Sequence, residues 1–276
     1  MGRRPSRENA PAGGGHRIVT PEPPAEIGRR LTRLPVRRGL HQEAVNQIGS
    51  RIIRGEYSVG DVLIEADLVQ LMGISRSGIR EAIKVLAAKG LVESRTKVGT
   101  KIRPRESWDL FDPDLLRWWS TFDGTEDLMR MILDVRLLIE PGTAALAAER
   151  ADEKALRRLS DAYHAMLTHG GDPHKAVQAD VDFHIAILEA CDNELIHSLA
   201  PKVEAMLLAS FKIISTMPEA LTRATGLHGA VVDAIEAHDP DAARAAMNVL
   251  LADAREYVMG TYRRRKGAAD GAGSER

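Results

Sequence analysis

The sequence predicts a mainly α fold: a small N-terminal unit of three helices and a hairpin, followed by an antiparallel all-α bundle of about six helices. Two observations carry this. From Thr125 onward apolar residues recur at helical spacing, with no stretch of alternating polarity. Between residues 40 and 103, three short helical stretches each run into a glycine, Gly55, Gly73 and Gly90, and two β-like segments follow. Composition agrees. The chain is 44% hydrophobic but only 4% aromatic, and Ala and Leu dominate its C-terminal half, which favours helices. Its 276 residues suffice for two medium domains.

The elements follow in order. Residues 1–38 read as a disordered basic tail, with six of the thirteen prolines, the run Gly13-Gly14-Gly15 and nine Arg against three Glu. Residues 39–103 form the first domain. Val45, Ile48, Ile52 and Ile53 set its first helix, and Tyr57–Asp61 its turn. A second helix spans about 65–72, with Leu68, Leu71 and Met72 facing inward. Ser75 is placed to cap a third helix, its hydroxyl accepting from free amides of the next turn. That helix runs to about Lys89, with Ile79, Ala82, Ile83 and Leu86 on one face. The hairpin segments are Leu91–Ser94 and Thr100–Arg103. Helix, helix, tight turn, helix, hairpin is the order of a winged helix-turn-helix, which lays the second helix of its helix-turn-helix in the DNA major groove.

Residues 104–124 hold Pro104, Pro113, Trp108, Phe111, Trp118, Trp119 and Phe122 and read as a linker with a short docked helix. The second domain, 125–262, divides into helices over 125–150, 153–169, 173–191, 193–215, 217–238 and 240–262. Their short connections make neighbours antiparallel. Residues 263–276 read as a flexible tail. The single cysteine, Cys191, excludes an intrachain disulfide, and the Arg- and Pro-rich start is unlike a secretory signal, so a reducing cytoplasm is the expected location.

Net charge is −1, but residues 1–39 carry +6, residues 40–103 carry +3 and the remainder −10. A basic front on an acidic body points a polyanion at the front alone; a solvated tail on an ordinary acidic surface would look the same. The third helix strengthens the first reading, although a charged face opposite an apolar one is what any surface helix shows. Arg76, Ser77, Arg80 and Lys84 fall on the face opposite Ile79 and Ile83. Arginine forks match guanine and phosphate. Gly99 at the hairpin tip lets backbone approach a groove, with Lys97 and Lys101 for phosphates.

Residues 48–102 resemble the GntR family of bacterial regulators. The resemblance rests on Ile53–Tyr57 with Gly60, Gly73–Arg76, Ile79–Ile83, Leu86, Gly90–Val92 and Gly99. It implies DNA contacts by Arg76 and Arg80, with Ser75, Ser77, Lys84, Lys97 and Gly99 completing the interface and Glu81 bracing the helix. Gly78 departs from the pattern, which often has proline there.

In the acidic half, Asp180 and His184 stand four apart, and His228 follows about one helix later. A carboxylate and two imidazoles can hold Zn, Ni or Mn, and also describe a helix-surface hydrogen bond with a bystander. Arg136 and Glu140 are likewise four apart on an apolar helix. Arg136 either pairs with Glu140 or receives a ligand carboxylate. Residues 130–250 resemble the FadR subfamily, whose all-helical FCD-type domain binds metabolite acids. The match runs through Asp134–Pro141, Leu146–Ala148, Asp180–His184, Asn193, His228, Asp233–Ile235 and Ala242–Met247. It implies an effector site of Arg136, Asp180, His184 and His228, with one divalent metal on the last three. The subfamily's further histidine is replaced by Leu250.

The linker Trp108–Trp118 is similar to that of repressors of D-galactonate catabolism, which implies a sugar acid as effector; the family resemblance implies operator DNA as partner and a homodimer. Two rival readings remain on the residues alone. Two His and a carboxylate also describe an iron-dependent oxygenase site, although no β-rich scaffold is in evidence. A helical interaction module with a basic tail is the other.

Overall fold

The computed structural model describes residues 40–95, 99–121, 125–168, 172–214 and 224–273. The expected tail 1–38, Lys97, Phe122 and the breaks at Gly170-Gly171 and Pro218 lie outside those residues.

The first domain contains α1 (Leu40–Ile53), β1 (Val62–Leu63), α2 (Glu65–Met72), α3 (Arg76–Ala88), β2 (Val92–Arg95) and β3 (Gly99–Ile102). Gly55, Gly73 and Gly90 close α1, α2 and α3 with φ of 74°, 65° and 79°, left-handed values that cost glycine little. Ser75 caps α3 as expected, its Oγ accepting from the Gly78 amide at 3.2 Å. Ile48, Ile52, Ile79, Ile83, Leu86 and Leu91 meet in one core. The hairpin is a wing of three antiparallel strands in the order β1-β3-β2, pairing Leu63 with Thr100 and Val92 with Ile102. Two residues are too few to show a periodicity, so β1 was not foreseen. One inward assignment fails. Leu71 is 62% exposed, because α2 packs through Leu68, Val69 and Met72, a narrower stripe that leaves Leu71 outside.

After a 3₁₀ turn at Arg105–Ser107 comes the docked linker helix, α4 (Pro113–Trp119). Asp112 accepts from the amides of Asp114 and Leu115, and Pro113 fills the first turn, where no amide is needed. The bundle follows: α5 (Thr125–Arg150), α6 (Glu153–Thr168), α7 (Pro173–Ala190), α8 (Glu194–His197), α9 (Ala200–Ile214), α10 (Thr225–Glu236) and α11 (Pro240–Gly273). The stretch expected as one helix over 193–215 is two, a short turn capped by Asn193 and then α9. The last helix passes Tyr262, where it was expected to end, and runs to Gly273. Arg263–Lys266 and the alanines after them are strong helix formers, and no proline interrupts them.

The bundle has two cores. Ala144, Ala148, Leu159, Phe183, Ile187, Val231, Ile235, Met247 and Leu250 form one. Leu128, Met129, Leu133, Val181, Val203, Met206 and Val258 form the other. Helix α4 belongs to both domains. Its Leu115 and Trp118 lie in the core of the first, and its Leu116 in the second core of the bundle. Gly49 of α1 makes this possible, since a Cβ there would stand 2.3 Å from the Trp118 ring. Trp118 Nε1 donates to Asn46 Oδ1 at 3.2 Å. Lys89, at the end of α3, binds Asp112 at 2.8 Å and Asp114 at 2.9 Å. Gly90 lets Ser107 pass so closely that a Cβ would meet its carbonyl at 2.0 Å.

Among the described residues, no helix is long and apolar enough to cross a membrane.

Candidate functional sites: a helix face and a buried polar cluster

Two places gather the residues singled out by sequence. The first is the exposed face of α3. Arg76, Ser77, Arg80 and Lys84 are exposed while Ile79, Ala82, Ile83 and Leu86 are buried. Ser77 Oγ lies 3.1 Å from Ser75 Oγ. Lys84 binds Glu81, three residues back on the same helix, at 2.8 Å. Arg80 Nε donates to Glu65 Oε2 at 2.9 Å, a contact sequence reasoning missed because it joins two helices. Gly99 is exposed at φ 104° on the wing. It also has a packing reason, since a Cβ would lie 2.7 Å from Val62 Cγ1. Lys101 is half-buried on β3, and Lys97 lies outside the described residues.

The second place lies inside the bundle. Helix α5 supplies Arg136 and Glu140, α7 supplies Asp180 and His184, and α10 supplies His228. None is more than 7% exposed. Of the two readings that Arg136 allowed, the pairing with Glu140 is the one present here. Arg136 Nε donates to Glu140 Oε1 at 2.6 Å, and one terminal nitrogen reaches Oε2 at 3.2 Å. That nitrogen also lies 3.0 Å from His184 Nε2. A guanidinium can only donate, so His184 Nε2 accepts and the ring hydrogen is on Nδ1. The Nδ1 is 2.9 Å from Glu140 Oε2, off the direction of a hydrogen bond.

His228 is tied differently. Its Nδ1 donates to the Ala224 carbonyl at 2.8 Å. Its Nε2 lies 3.0 Å from Asp180 Oδ1 without hydrogen-bond geometry. Phe183 packs edge-on to both imidazoles, with ring centres 5.2 and 4.9 Å away.

Charges inside this closed cluster shape one another. Burial alone would push the Glu140 carboxyl up, but the Arg136 guanidinium, helped by the His184 Nδ1–H that faces the carboxylate, outweighs it and holds it down at about 2. Burial likewise opposes ionisation of Asp180; the positive charge that His184 and His228 carry when protonated, together with Arg136, reverses the sign, holding that carboxyl below its ordinary value.

Asp180, His184 and His228 each offer one ligand atom, all within 4.8 Å of one another. The orphaned Nε2 of His228 fits a metal, because a buried, unpartnered imidazole nitrogen beside a carboxylate can share a cation with it. The guanidinium on His184 Nε2 crowds that place, and Leu250, buried in the bundle core, adds no fourth ligand. A surface cavity of about 390 Å³ beside Tyr57, Trp108 and Trp119 shares no residue with this cluster.

Comparison with known proteins bears on both places. Residues 40–102 match the model of bacterial regulatory proteins of the gntR family, and residues 131–253 match the FCD domain. The galactonate operon transcriptional repressor of Escherichia coli (strain K12) is 32% identical over 211 residues, covering 74% of this chain and 90% of that protein. The chain belongs to the GntR family. Its members in this comparison are transcription regulators and not enzymes, which removes the oxygenase reading. The regulator LutR of Bacillus subtilis (strain 168) is 30% identical over 217 residues, or 76% of this GntR chain and 97% of that one. A solved structure described as "Lar controls the expression of the Listeria monocytogenes agr system and mediates virulence" shares the fold, with a TM-score of 0.60 at 17% identity over 82% of this chain and 97% of that chain.

Proposed function

We propose that this GntR regulator is a repressor of a sugar-acid catabolic operon, released from its operator when a small carboxylate such as galactonate enters the bundle. The observation that carries this is Arg136, a cation buried at 7% exposure beside Asp180, His184 and His228. A buried guanidinium is a ready receptor for a planar carboxylate. The likeness to a galactonate operon repressor supports the choice of acid.

The DNA contacts in this reading come from Ser75, Arg76, Ser77, Arg80 and Lys84 on α3, with Lys97 and Gly99 from the wing. Two copies of the chain present two such helices to the halves of a pseudo-palindrome. Asp180, His184 and His228 would hold a divalent ion, which supplies a Lewis-acidic site for acid oxygens. The acid would take over the guanidinium edge that now faces His184. Since every group in the cluster is closed to solvent, entry requires helices to part, and α4 carries that movement to α3. For release to follow, the acid must bind the DNA-free arrangement more tightly.

Anisotropy of labelled DNA from just upstream of the gene tests this. Tight binding relieved by one of galactonate, gluconate, glucuronate, lactate or pyruvate is the expected result. Specific binding that none of them relieves would remove the effector class. Binding no better than to scrambled DNA would overturn the whole reading.

A further inference from the structure

The three cations on the exposed face of α3 are not equivalent. Lys84 is neutralised by Glu81 at 2.8 Å. The Arg76 guanidinium makes no hydrogen bond or ion pair among the described residues. Arg80 is half engaged: its Nε is held by Glu65 at 2.9 Å, and its two terminal nitrogens make no hydrogen bond among the described residues. Glu65 is the first residue of α2, so this contact bridges the two helices of the helix-turn-helix.

The pair is open to water, with side chains 63% and 36% exposed, and such pairs add little to fold stability. Its consequence is directional. A guanidinium is a planar fork of five N–H donors. With Nε tied down, the fork can turn only its far edge outward, and that edge is the pair of donors that matches guanine O6 and N7. An untethered arginine must give up rotamer freedom on reaching a base; a tethered one has lost it already. The carboxylate has a second effect. It places a negative charge on a face that meets phosphates, which weakens binding to every sequence alike. Together these favour discrimination over raw affinity.

We propose that Glu65 is a positioning residue for Arg80, aiming its terminal nitrogens at one guanine and so setting base selectivity at that position. This rests on the reading that α3 enters the major groove.

The test uses the full chain and a DNA site selected from a random library with the wild-type protein. Each guanine in turn is replaced by 7-deazaguanine, which lacks the N7 acceptor. Wild type should lose about tenfold or more in affinity at one position per half-site. With Glu65→Ala that penalty should shrink to about threefold or less, while affinity for scrambled DNA holds or rises. Glu65→Gln, which keeps an acceptor for Nε, should restore part of the penalty and shows that a folded variant is being read. An undiminished penalty in Glu65→Ala overturns the proposal. Equal loss on selected and scrambled DNA overturns it too, by giving Glu65 a structural role. The Arg80→Ala variant separates the premise from the inference: if it keeps wild-type affinity and the 7-deazaguanine penalty, the groove reading itself is wrong.

Discussion

His228 turns its Nε2 toward Asp180. Its Nδ1 hydrogen is committed to the Ala224 carbonyl at 2.8 Å, and its Nε2 stands 3.0 Å from Asp180 Oδ1. A neutral imidazole nitrogen and a carboxylate at that separation in a buried site repel unless a positive centre lies between them. A proton can serve, and so can a divalent cation.

Zinc, nickel or manganese added to chelator-treated protein should therefore raise the melting temperature. At a metal concentration about a hundredfold above Kd, the gain is roughly 2.7 kcal/mol, or about 5–10 °C for a domain of this size. Asp180→Asn should abolish the shift. No response to any of the three ions would show that a proton alone occupies this place.

Leu250 is buried among Phe183, Ile187 and Met247. Leu250→His should tighten zinc binding by about tenfold or more if residue 250 approaches the cluster, since a fourth protein ligand completes a tetrahedral shell. Competition with a chelating dye reads the affinity. Unchanged affinity in a folded variant would place residue 250 out of reach of the metal.

Glu140 carries a pH signature. Its carboxyl is held at about 2 in the folded chain, below its ordinary value of 4.5. A depressed carboxyl contributes stability that is complete above the unfolded pKa and lost as pH falls through the folded one. Acid should thus erode stability between about pH 4.5 and 2. Glu140→Gln leaves Arg136 without its charge partner and should cost about 3–5 kcal/mol at neutral pH. The gap to wild type should narrow across that acid window. Denaturant melts at several pH values check this, and a gap that stays constant would remove Glu140 as the source.

Gly49→Ala should loosen the seat of α4. A methyl there meets the Trp118 ring at 2.3 Å, and overpacking of this kind costs about 1–3 kcal/mol. Trp118 fluorescence should change along with the melting temperature. A variant with wild-type stability and emission would show that the ring has room to retreat.

The sequence shows what local spacing decides. Ser75 caps α3, and glycines end α1, α2 and α3, because caps and left-handed residues act within a turn or two. Arg136 with Glu140, and Asp180 with His184, are visible for the same reason: four residues on a helix set one side chain over another. What brings α5, α7 and α10 together is packing between distant stretches, so the meeting of Glu140 with His184 has no local signal. Arg80 with Glu65 and Lys89 with Asp112 were hidden likewise. Leu71 misled because apolar spacing says which residues can share a face and not how wide a stripe the neighbour covers.

The seating of α4 alters where the DNA-reading unit ends. The gntR family match stops at residue 102, yet Leu115 and Trp118 fill the core behind it, and Lys89 reaches forward to Asp112 and Asp114. A fragment cut at the wing would expose an apolar slot along α1 and strand a half-buried lysine. The smallest autonomous head is thus one helix longer than its pattern of recognition, and that added helix leaves Leu116 behind as an open apolar stub wherever the bundle is removed.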